Sequence, residues 1–412
     1  MLTDWQTFIS RAGTGLIDVR VEHWREPSLL LESDPPEHTG VREIMERIFL
    51  PPKAFEPMRE RFEAKAEALV DSLVSAGSFD AVTEFAEVFP IQAFADEVGV
   101  PEEGRESLLA YAGIVFNGQG PRNELFEAAT ENAEEIQEWI LSSCEREKLA
   151  PDGFGARIYE AADEGEITEE QAKMLVRSLL SAGLDTTVSA LGSAVHLLAT
   201  NPDQWERLRA DPSLAKAVFE ETIRLESPVQ QFFRTAAHDT ELAGVEFSED
   251  ERVMIFFGSA NRDPRRWEDP DRFDVTRKPS GHLAFGMGIY GCLGQVVARA
   301  EGEVLLAALA RKVGGIELDG EPQRHLNNAV RRLASLPVTF HAPESLFRCV
   351  ASGADGSSSC NAWVERLHPS VRFAARVVLF RLTTLDSPRP TSANPKVDRN
   401  VMLMLQTKFK DA

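Results

Sequence analysis

One cysteine of this 412-residue chain lies in a glycine-rich run, FGMGIYGCLG, at residues 285–294. Three glycines before Cys292 and one after it allow the backbone to fold tightly around the sulfur. The helix predicted to begin just beyond would point its free N–H groups and its dipole at the sulfur, which favours a thiolate. A thiolate is either a nucleophile or a metal ligand.

Whether a base accompanies Cys292 separates these two uses. The nearest candidate is Tyr290, but a phenol ionises only near about pH 10. A cysteine-nucleophile hydrolase would need a His or Asn beside the sulfur, and the neighbouring residues supply neither. An inert buried cysteine would explain Cys292 alone, but not the four glycines around it. The residues alone leave the choice between a metal ligand and a nucleophile open, although no base for a nucleophile is evident.

A polar centre lies in the longest predicted helix. A capping box, TEEQ, opens this helix, and the absence of proline predicts one continuous element at 168–200, about 48 Å long. Its centre, SAGLDTT at 181–187, is small and polar, and Gly183 there costs about 1 kcal/mol relative to alanine. Taken alone, this helix gives Asp185 the simpler interpretation of a solvated charge and Thr186 that of an ordinary helix residue.

Further elements are predicted around these residues from periodicity and turn signals. Glu221 and Arg224 lie three residues apart on one helix face, where an exposed ion pair would contribute only about 0–1 kcal/mol. The predicted elements are helices at 57–75, with Pro57 in the first turn, at 124–149, at about 213–226 and at 295–312, strands at 240–257, and a loop at 261–279.

Composition excludes several classes of protein. The net charge of −22 argues against a nucleic-acid partner, because such binding depends largely on Lys and Arg. The charge is uneven: residues 343–412 hold ten basic and six acidic residues, so 1–342 carry −26. No secretory signal or apolar run of about 18 residues occurs, and the four cysteines form no CxxC pair. We expect a soluble, cytoplasmic protein without a membrane partner.

The run FGMGIYGCLG resembles the haem-binding loop of the cytochrome P450 family. Three further segments follow the family's order and spacing: AGLDT at 182–186 resembles its oxygen-activation groove, ETIR at 221–224 its ExxR pair, and DPDRF at 269–273 the loop whose arginine completes an ion-pair triad. The resemblance implies the mainly α P450 fold with small β-sheets. It also implies haem b, with the iron bound by the Cys292 thiolate. Residues expected in that loop are Phe285, which would shield the sulfur, Gly286 and Gly294.

The same comparison implies further haem contacts. DPPEHTGVR at 34–42 resembles the helix that holds the haem carboxylates, and His38 and Arg42 share one face of it. Arg234 resembles a third partner. Tyr290 stands where the family usually has histidine, so a neutral hydroxyl is the expected donor there.

Residues on either side of the haem follow from the resemblance as well. Thr186 is expected to hydrogen-bond dioxygen and Asp185 to relay protons, with Gly183 leaving room for the oxygen. The structural triad expected beneath the haem is Glu221, Arg224 and Arg272.

Much of residues 4–341 is similar to bacterial P450s that oxidise para-substituted benzoic acids. Such a substrate needs donors for its carboxylate and apolar walls for its ring. Gln119 departs from the subgroup, which has phenylalanine there, and would widen or polarise the pocket. The expected donors are Arg25, Ser28, Gln137, Arg177 and Ser178, Ser181 is expected to line the same pocket, and the expected walls are Leu31, Phe116, Val229 and Phe232.

The resemblance implies a monooxygenase that inserts one atom of O2 into a C–H bond of a small aromatic acid, by hydroxylation or oxidative demethylation. Electrons would come from an iron–sulfur ferredoxin and its NAD(P)H reductase, docking near Arg299 and the 262–266 loop, and we expect a monomer. The match predicts a P450 domain at 1–342 lacking most of its N-terminal lobe, and an unrelated, poorly ordered tail at 343–412. The alternative is an inactive or haem-binding-only remnant.

Overall fold

The computed structural model describes residues 1–49 and 52–343. The described residues are mainly helical, as the resemblance implied. The α-helices are α1 Glu37–Phe49, α2 Pro52–Ala76, α3 Val88–Val98, α4 Ser107–Asn117, α5 Glu124–Thr130, α6 Ala133–Ser143, α7 Phe154–Asp163, α8 Glu169–Ala182, α9 Asp185–Thr200, α10 Pro202–Ala210, α11 Ala215–Glu226, α12 Phe257–Ala260 and α13 Gln295–Lys312. A π-helix spans Val82–Ala86, and 3-10 turns span Arg146–Lys148, Pro212–Leu214 and Gly288–Tyr290.

Four small sheets accompany the helices in the described residues. One orders its strands β1-β3-β6, another β2-β10-β7, and β4-β5 and β8-β9 are two-stranded. In the first sheet Arg234 of β3 pairs with Val253 of β6 in antiparallel register. The strands are β1 Phe8–Ile9, β2 Ser78–Asp80, β3 Gln231–Ala236, β4 Thr240–Leu242, β5 Val245–Phe247, β6 Arg252–Phe256, β7 Gly315–Leu318, β8 Gln323–His325, β9 Arg332–Ser335 and β10 Pro337–His341.

The chain divides into two compact units. The first comprises residues 1–312 and 316–340, and contains every candidate residue discussed below. Of the described residues, 313–315 and 341–343 belong to the second. The tail predicted at 343–412 lies outside the described residues from residue 344 onward. Among the described residues, no helix has the length and apolar character that crossing a membrane requires.

The prediction of one continuous helix at 168–200 is wrong. The capping box at Thr168 is present, but α8 ends at Ala182 and α9 begins at Asp185. The Thr186 and Thr187 hydroxyls donate to the carbonyls of Ala182 and Gly183, 3.0 and 3.1 Å away. These bonds satisfy acceptors that the helix interruption leaves open, so the polar residues that looked misplaced in a continuous helix stabilise the break.

Other predicted elements agree with the structure except at their ends. The helices near 213–226 and at 295–312 are confirmed, and the strands of 240–257 form three short segments. Pro57 lies inside α2 rather than in its first turn, because the helix begins five residues earlier. The 124–149 prediction corresponds to α5, α6 and a 3-10 turn, separated at the polar residues Glu131 and Asn132.

Helix α13, which follows the cysteine run, is central to the core. It packs against α2 and α11, and α11 packs against α9. Glu301 of α13 is nevertheless only 1% exposed, and one of its carboxyl oxygens has no hydrogen-bond partner in the described residues. Burial, aided by the nearby Glu97 charge and opposed by a hydrogen bond with Thr187, raises the pKa of Glu301 to about 8. The side chain is therefore predominantly protonated at neutral pH.

This protonation predicts how stability depends on pH. The folded protein keeps a proton on Glu301 that the unfolded chain releases, so the free energy of unfolding falls as pH rises from about 4.5 to about 8. Glu301→Gln should reduce that slope by up to about 1.4 kcal/mol per pH unit. Urea unfolding followed by circular dichroism at several pH values checks this. A slope equal to that of the unsubstituted protein would show that Glu301 is ionised in the fold.

Candidate functional site

The cysteine run folds as a tight loop whose ends are tied together. The Cys292 N–H donates to the Phe285 carbonyl, 2.8 Å away. Between these residues, Gly286 and Gly288 have φ of +68° and +74°, a region that side-chain-bearing residues rarely adopt. Helix α13 then begins at Gln295. The predicted backbone loop around the sulfur, followed by a helix N-terminus, is thus present.

The electrostatics of the sulfur differ from the expectation that the loop alone favours a thiolate. Burial raises the pKa of the Cys292 thiol, and hydrogen bonds from the Gly294 and Gln295 N–H groups, with the charges of Arg42 and Arg299, oppose this only in part. Desolvation outweighs the helix N-terminus because it acts on the whole charged group. A bound cation deprotonates a coordinating thiol outright, so this setting suits a metal ligand better than a free nucleophile.

The ion pair beneath the loop is fully buried. Arg224 and Glu221 are 0% exposed and form two hydrogen bonds, of 2.7 and 2.9 Å. Arg224 also donates to the carbonyls of Asn261 and Pro270, both 2.8 Å away. The Asn261 side chain in turn accepts from the Leu283 N–H at 2.6 Å, just before the cysteine run. The pair therefore stabilises the start of the loop through Asn261. The sequence analysis did not identify this role of Asn261.

The predicted third member of this triad needs correction. Arg277 donates to Glu221 at 3.0 Å, with only 14% of its side chain exposed. Arg272 contributes only its backbone carbonyl, 3.4 Å from Arg224. The sequence placed an arginine in this loop correctly but chose the wrong one, because several arginines lie within a few residues and only tertiary structure shows which side chain turns inward.

Helix α1 brings two of the predicted haem contacts to the loop. The Arg42 guanidinium donates to the Gly291 carbonyl, 2.7 Å away, next to Cys292. His38 is 1% exposed, and its Nε2 has no hydrogen-bond partner in the part of the chain that the structure describes. Burial and the Arg42 charge lower the pKa of His38, although Asp34 and Glu46 oppose the shift. A neutral imidazole with an open ring nitrogen is ready to receive a polar ligand group.

Tyr290 lies between the other cofactor candidates. Its ring centroid is 4.8 Å from that of His38, and the Arg234 guanidinium is 4.9 Å from it. Its hydroxyl donates to the Asp34 carboxylate at 2.5 Å. The single hydroxyl proton is thereby used within the protein, whereas the sequence assigned it to a haem carboxylate.

Arg234 is a buried cation with no ion pair among residues 1–49 and 52–343. It is 3% exposed, and its hydrogen bond goes to the neighbouring Phe233 carbonyl at 2.8 Å. Burial lowers the pKa of Arg234, although Tyr290 and Asp34 oppose the shift. A buried charge without a counter-ion is costly. Together with the open His38 nitrogen, Arg234 would suit the two carboxylates of the haem that the sequence resemblance implies.

Asp185, the candidate proton relay, pairs with an arginine that the sequence analysis did not identify. Asp185 is 1% exposed and pairs with Arg332 of β9 at 2.5 Å. Burial nevertheless raises the pKa of Asp185, and Arg332 opposes the shift. The other Asp185 oxygen has no partner in the described residues, so it is open to a proton donor. Gly183 has a packing role: a Cβ there would lie 2.4 Å from the Phe94 ring.

The predicted carboxylate donors form two different environments. Arg25 is paired with Glu32, at 3.0 and 3.3 Å, and the Ser28 N–H donates to the same carboxylate at 2.7 Å. Arg177 is 5% exposed, donates to the Glu26 carbonyl at 2.8 Å, and has no ion pair in the described part of the chain. Burial lowers the pKa of Arg177, and Arg25 and Glu32 are among the charges close to it.

The remaining polar candidates are two serines that bond within their own helix and two glutamines. The Ser178 hydroxyl donates to the Met174 carbonyl and the Ser181 hydroxyl to the Ser178 carbonyl, at 2.9 and 3.0 Å. Gln137 is half-buried on α6. Gln119 is 7% exposed and accepts a hydrogen bond from Thr14 at 3.1 Å, which ties its side chain to the N-terminal loop.

The apolar candidates lie in three settings. Phe116 and Val229 meet in one cluster with Ala329 and Val330, two residues that sequence reasoning missed because they lie in an irregular segment. Phe232 packs edge-on against Phe257, with centroids 5.9 Å apart. Leu31 is half-buried, and its carbonyl accepts the Ser10 hydroxyl at 2.6 Å.

Comparisons with known proteins agree with this geometry. A family model described as Cytochrome P450 matches residues 122–313. Cytochrome p450 CYP199A2 of Rhodopseudomonas palustris is 54% identical over 340 residues, which are 82% of this chain and 82% of that protein. The 6-deoxyerythronolide B hydroxylase of Saccharopolyspora erythraea is 35% identical over 289 residues, 69% of this chain and 70% of that one. The solved structure of cytochrome P450 CREJ in complex with (4-ethylphenyl) dihydrogen phosphate covers 82% of this chain and 89% of its own, with a TM-score of 0.73 and 25% identity.

A mainly helical fold with a cysteine loop over a buried Glu–Arg pair defines the class of haem-thiolate oxygenases. The chain belongs to the cytochrome P450 family. It is a P450 monooxygenase, and its cofactor is haem with a cysteine-thiolate-bound iron. Among its described residues Cys144 is also free, but it is fully buried at the end of α6 and is not part of a glycine-rich loop that leads into a helix. The loop residue Cys292 is accordingly the ligand that fits.

The contacts of Tyr290 predict that its hydroxyl contributes mainly to the stability of the fold and its ring mainly to haem binding. Tyr290→Phe removes the donor to Asp34 and should lower the free energy of unfolding by about 1–3 kcal/mol. It keeps the ring between His38 and Arg234, so the rate of haem transfer to apomyoglobin should change less than about twofold. Tyr290→Leu removes the ring contacts, and that rate should rise about fivefold or more.

The two variants control for each other. If Tyr290→Phe loses haem as fast as Tyr290→Leu, the hydroxyl rather than the ring serves the cofactor, as the sequence comparison implied.

Proposed function

We propose that this P450 oxidises a small aromatic carboxylic acid, inserting one oxygen atom of O2 into a C–H bond by hydroxylation or oxidative O-demethylation, and that residues 1–342 carry this activity. The observation that carries the proposal is Arg177, a cation that is 5% exposed and has no counter-ion among the described residues. A substrate carboxylate would supply that counter-ion.

The charges around Arg177 favour one anion. Arg25 and Glu32 neutralise each other in a largely buried pair, with 12% and 4% of their side chains exposed. The group formed by Arg25, Glu32 and Arg177 therefore keeps a net charge of about +1. Since a buried charge is tolerated when it is paired and hydrogen-bonded, a monoanionic ligand suits this group better than a neutral one.

The apolar residues suit a ring. Phe116 and Val229 share a cluster with Ala329 and Val330, and Phe232 adds a second aromatic surface. The CREJ complex contains (4-ethylphenyl) dihydrogen phosphate, a benzene ring with an anionic group opposite a small alkyl group. That ligand in a structural relative supports the same combination of charge and ring here, with a carboxylate in place of the phosphate.

We assign proton handling to the break between α8 and α9. The haem, once bound, supplies the O–O cleavage chemistry that a thiolate ligand favours. Asp185 is held by Arg332 with one oxygen open, and its raised pKa suits a group that passes protons from solvent. Thr186, one residue on, is half-buried, and its hydroxyl donates to the Ala182 carbonyl, leaving its lone pairs available for a proton donor.

P450s use O2 and redox partners such as ferredoxin systems, and we propose an iron–sulfur ferredoxin with an NAD(P)H-dependent reductase for this chain. The basic residues expected to receive it are largely neutralised. Arg299 binds Glu220, Arg262 binds Asp271, and Arg265 binds Asp263. The positive charge of these three arginines is thus a weak argument that the ferredoxin docks there.

Substrate titration tests the acid-binding role of Arg177. Arg177→Gln should raise the dissociation constant for 4-methoxybenzoate, read from the haem spin-state shift, by about 10- to 100-fold, because a charged hydrogen bond contributes about 1.5–3 kcal/mol. Binding of neutral 4-methylanisole should not weaken.

The matched control keeps the net charge of the site. The double variant Arg25→Gln/Glu32→Gln removes the neighbouring pair together, and 4-methoxybenzoate affinity should stay within about threefold of the unsubstituted protein. Equal losses in this double variant and in Arg177→Gln would reject Arg177 as the carboxylate partner, as would the absence of any spin-state shift.

The carbon monoxide difference spectrum tests Cys292. The reduced protein should show a strongly red-shifted Soret band, and Cys292→Ser should abolish it while haem is still bound, because the thiolate is the source of that shift. A red-shifted band that survives in Cys292→Ser would assign the ligand elsewhere. Formation of product with ferredoxin, reductase and NADH then separates an active monooxygenase from a haem-binding remnant.

A further inference from the structure

A second polar cluster lies beside the cysteine loop and has no place in the function derived above. It consists of Glu220 of α11, His282 just before the loop, and Arg299 in the second turn of α13. His282 Nε2 lies 2.7 Å from one Glu220 oxygen, and Arg299 Nε donates to the other. These three residues, the Glu220 cluster, join three separate segments of the chain.

Hydrogen-bond geometry fixes the protonation of the Glu220 cluster. His282 Nδ1 accepts the Ala284 N–H at 3.2 Å, so the ring proton of a neutral His282 is on Nε2 and is donated to Glu220. Burial works to raise the pKa of Glu220, but the hydrogen bonds from His282 and Arg299 outweigh it and hold the pKa at about 2. Glu220 is therefore a carboxylate that binds two donors at once.

Arg299 is held from two sides and covers an aromatic ring. A second nitrogen of its guanidinium donates to Gln295 at 2.8 Å, one helical turn earlier. The guanidinium carbon lies 4.5 Å from the centre of the Phe285 ring, within cation–π distance. The His282 ring is a second neighbour of Phe285, with centroids 6.0 Å apart. Both donors to Glu220 thus also contact Phe285.

Phe285 is the residue that fixes Cys292. Its carbonyl accepts the Cys292 N–H at 2.8 Å and so closes the loop. A contact that restrains Phe285 consequently restrains the backbone that carries the sulfur.

We propose that the Glu220 cluster is a clamp that positions Phe285, and through it Cys292, and thereby tunes the reduction potential of the haem iron. Glu220, His282 and Arg299 are positioning residues in this role. The inference rests on Cys292 as the iron ligand and is independent of which substrate is oxidised.

Two effects of Arg299 must be separated, its charge and its flat guanidinium. A nearby positive charge stabilises the ferrous state whatever its shape, whereas clamping needs a planar group that stacks on Phe285 and binds Glu220 and Gln295 together. Arg299→Lys keeps the charge and removes the planar group. It is therefore the variant that distinguishes the two.

The experiment measures the substrate-free holoprotein. In Arg299→Lys the reduction potential should rise, because a released Phe285 admits water to the sulfur, and the red-shifted carbon monoxide band should decay about three- to tenfold faster. The matched control is Arg311→Lys, on the same helix, where the exposed Arg311 pairs with Glu67. That variant should match the unsubstituted protein in both measurements.

Coupling to Phe285 is the decisive measurement. If Arg299 acts through Phe285, the double variant Arg299→Lys/Phe285→Leu should show the same reduction potential and the same decay rate of the red-shifted band as Phe285→Leu alone. If the effects of the two substitutions on these quantities add up in the double variant, the clamp is overturned. It is also overturned if Arg299→Lys has the reduction potential and decay rate of the unsubstituted protein. Should Arg299→Lys fail to take up haem, Glu220→Gln decides by the same two measurements, since it keeps the arginine and removes its anchor. A normal red-shifted band in the unsubstituted protein distinguishes failure of the clamp from failure of Cys292 as ligand.

Discussion

Complete burial of the Arg224 guanidinium is the constraint on which the haem side of this fold depends. A charge removed from water must find partners for all its donors. Arg224 finds them in Glu221 and in backbone carbonyls of the 261–272 segment, which has little regular structure of its own. That segment is therefore ordered by an ion pair rather than by a sheet or a helix. Through Asn261 the same order reaches the start of the cysteine loop.

Sequence patterns predicted the parts of this arrangement that depend on local chemistry. The glycines around Cys292, the helix that follows and the capping box at Thr168 all appear as expected, because each is decided by residues within one or two turns. The break at Gly183, by contrast, contradicts the single continuous helix that the sequence predicts. Its small and polar residues were recognised as unusual, but their use in satisfying free carbonyls was not.

What the sequence could not predict are partners far apart in the chain. Arg332 lies 147 residues from Asp185, and nothing local in either segment indicates the pair. The choice of Arg277 over Arg272 depends on which side chain points inward from an irregular loop. Gly183 was assigned to oxygen access, yet its nearest neighbour is Phe94, from a helix about 90 residues earlier. Such contacts depend on how distant segments pack together, and the spacing of apolar residues along the sequence does not indicate them.

The arginines of this site fall into two groups, according to whether a carboxylate of the protein pairs with them. Arg25, Arg224, Arg277 and Arg299 each have a carboxylate partner within the protein and so hold parts of the fold in place. Arg177 and Arg234 are more deeply buried than all of these except Arg224, and in the described residues neither has a carboxylate partner. Because burying a cation is costly, the unpaired ones indicate where the protein expects an anion from outside its own chain. One such position fits a haem carboxylate and the other the substrate carboxylate that we propose, so the same physical principle carries both assignments at two separate places.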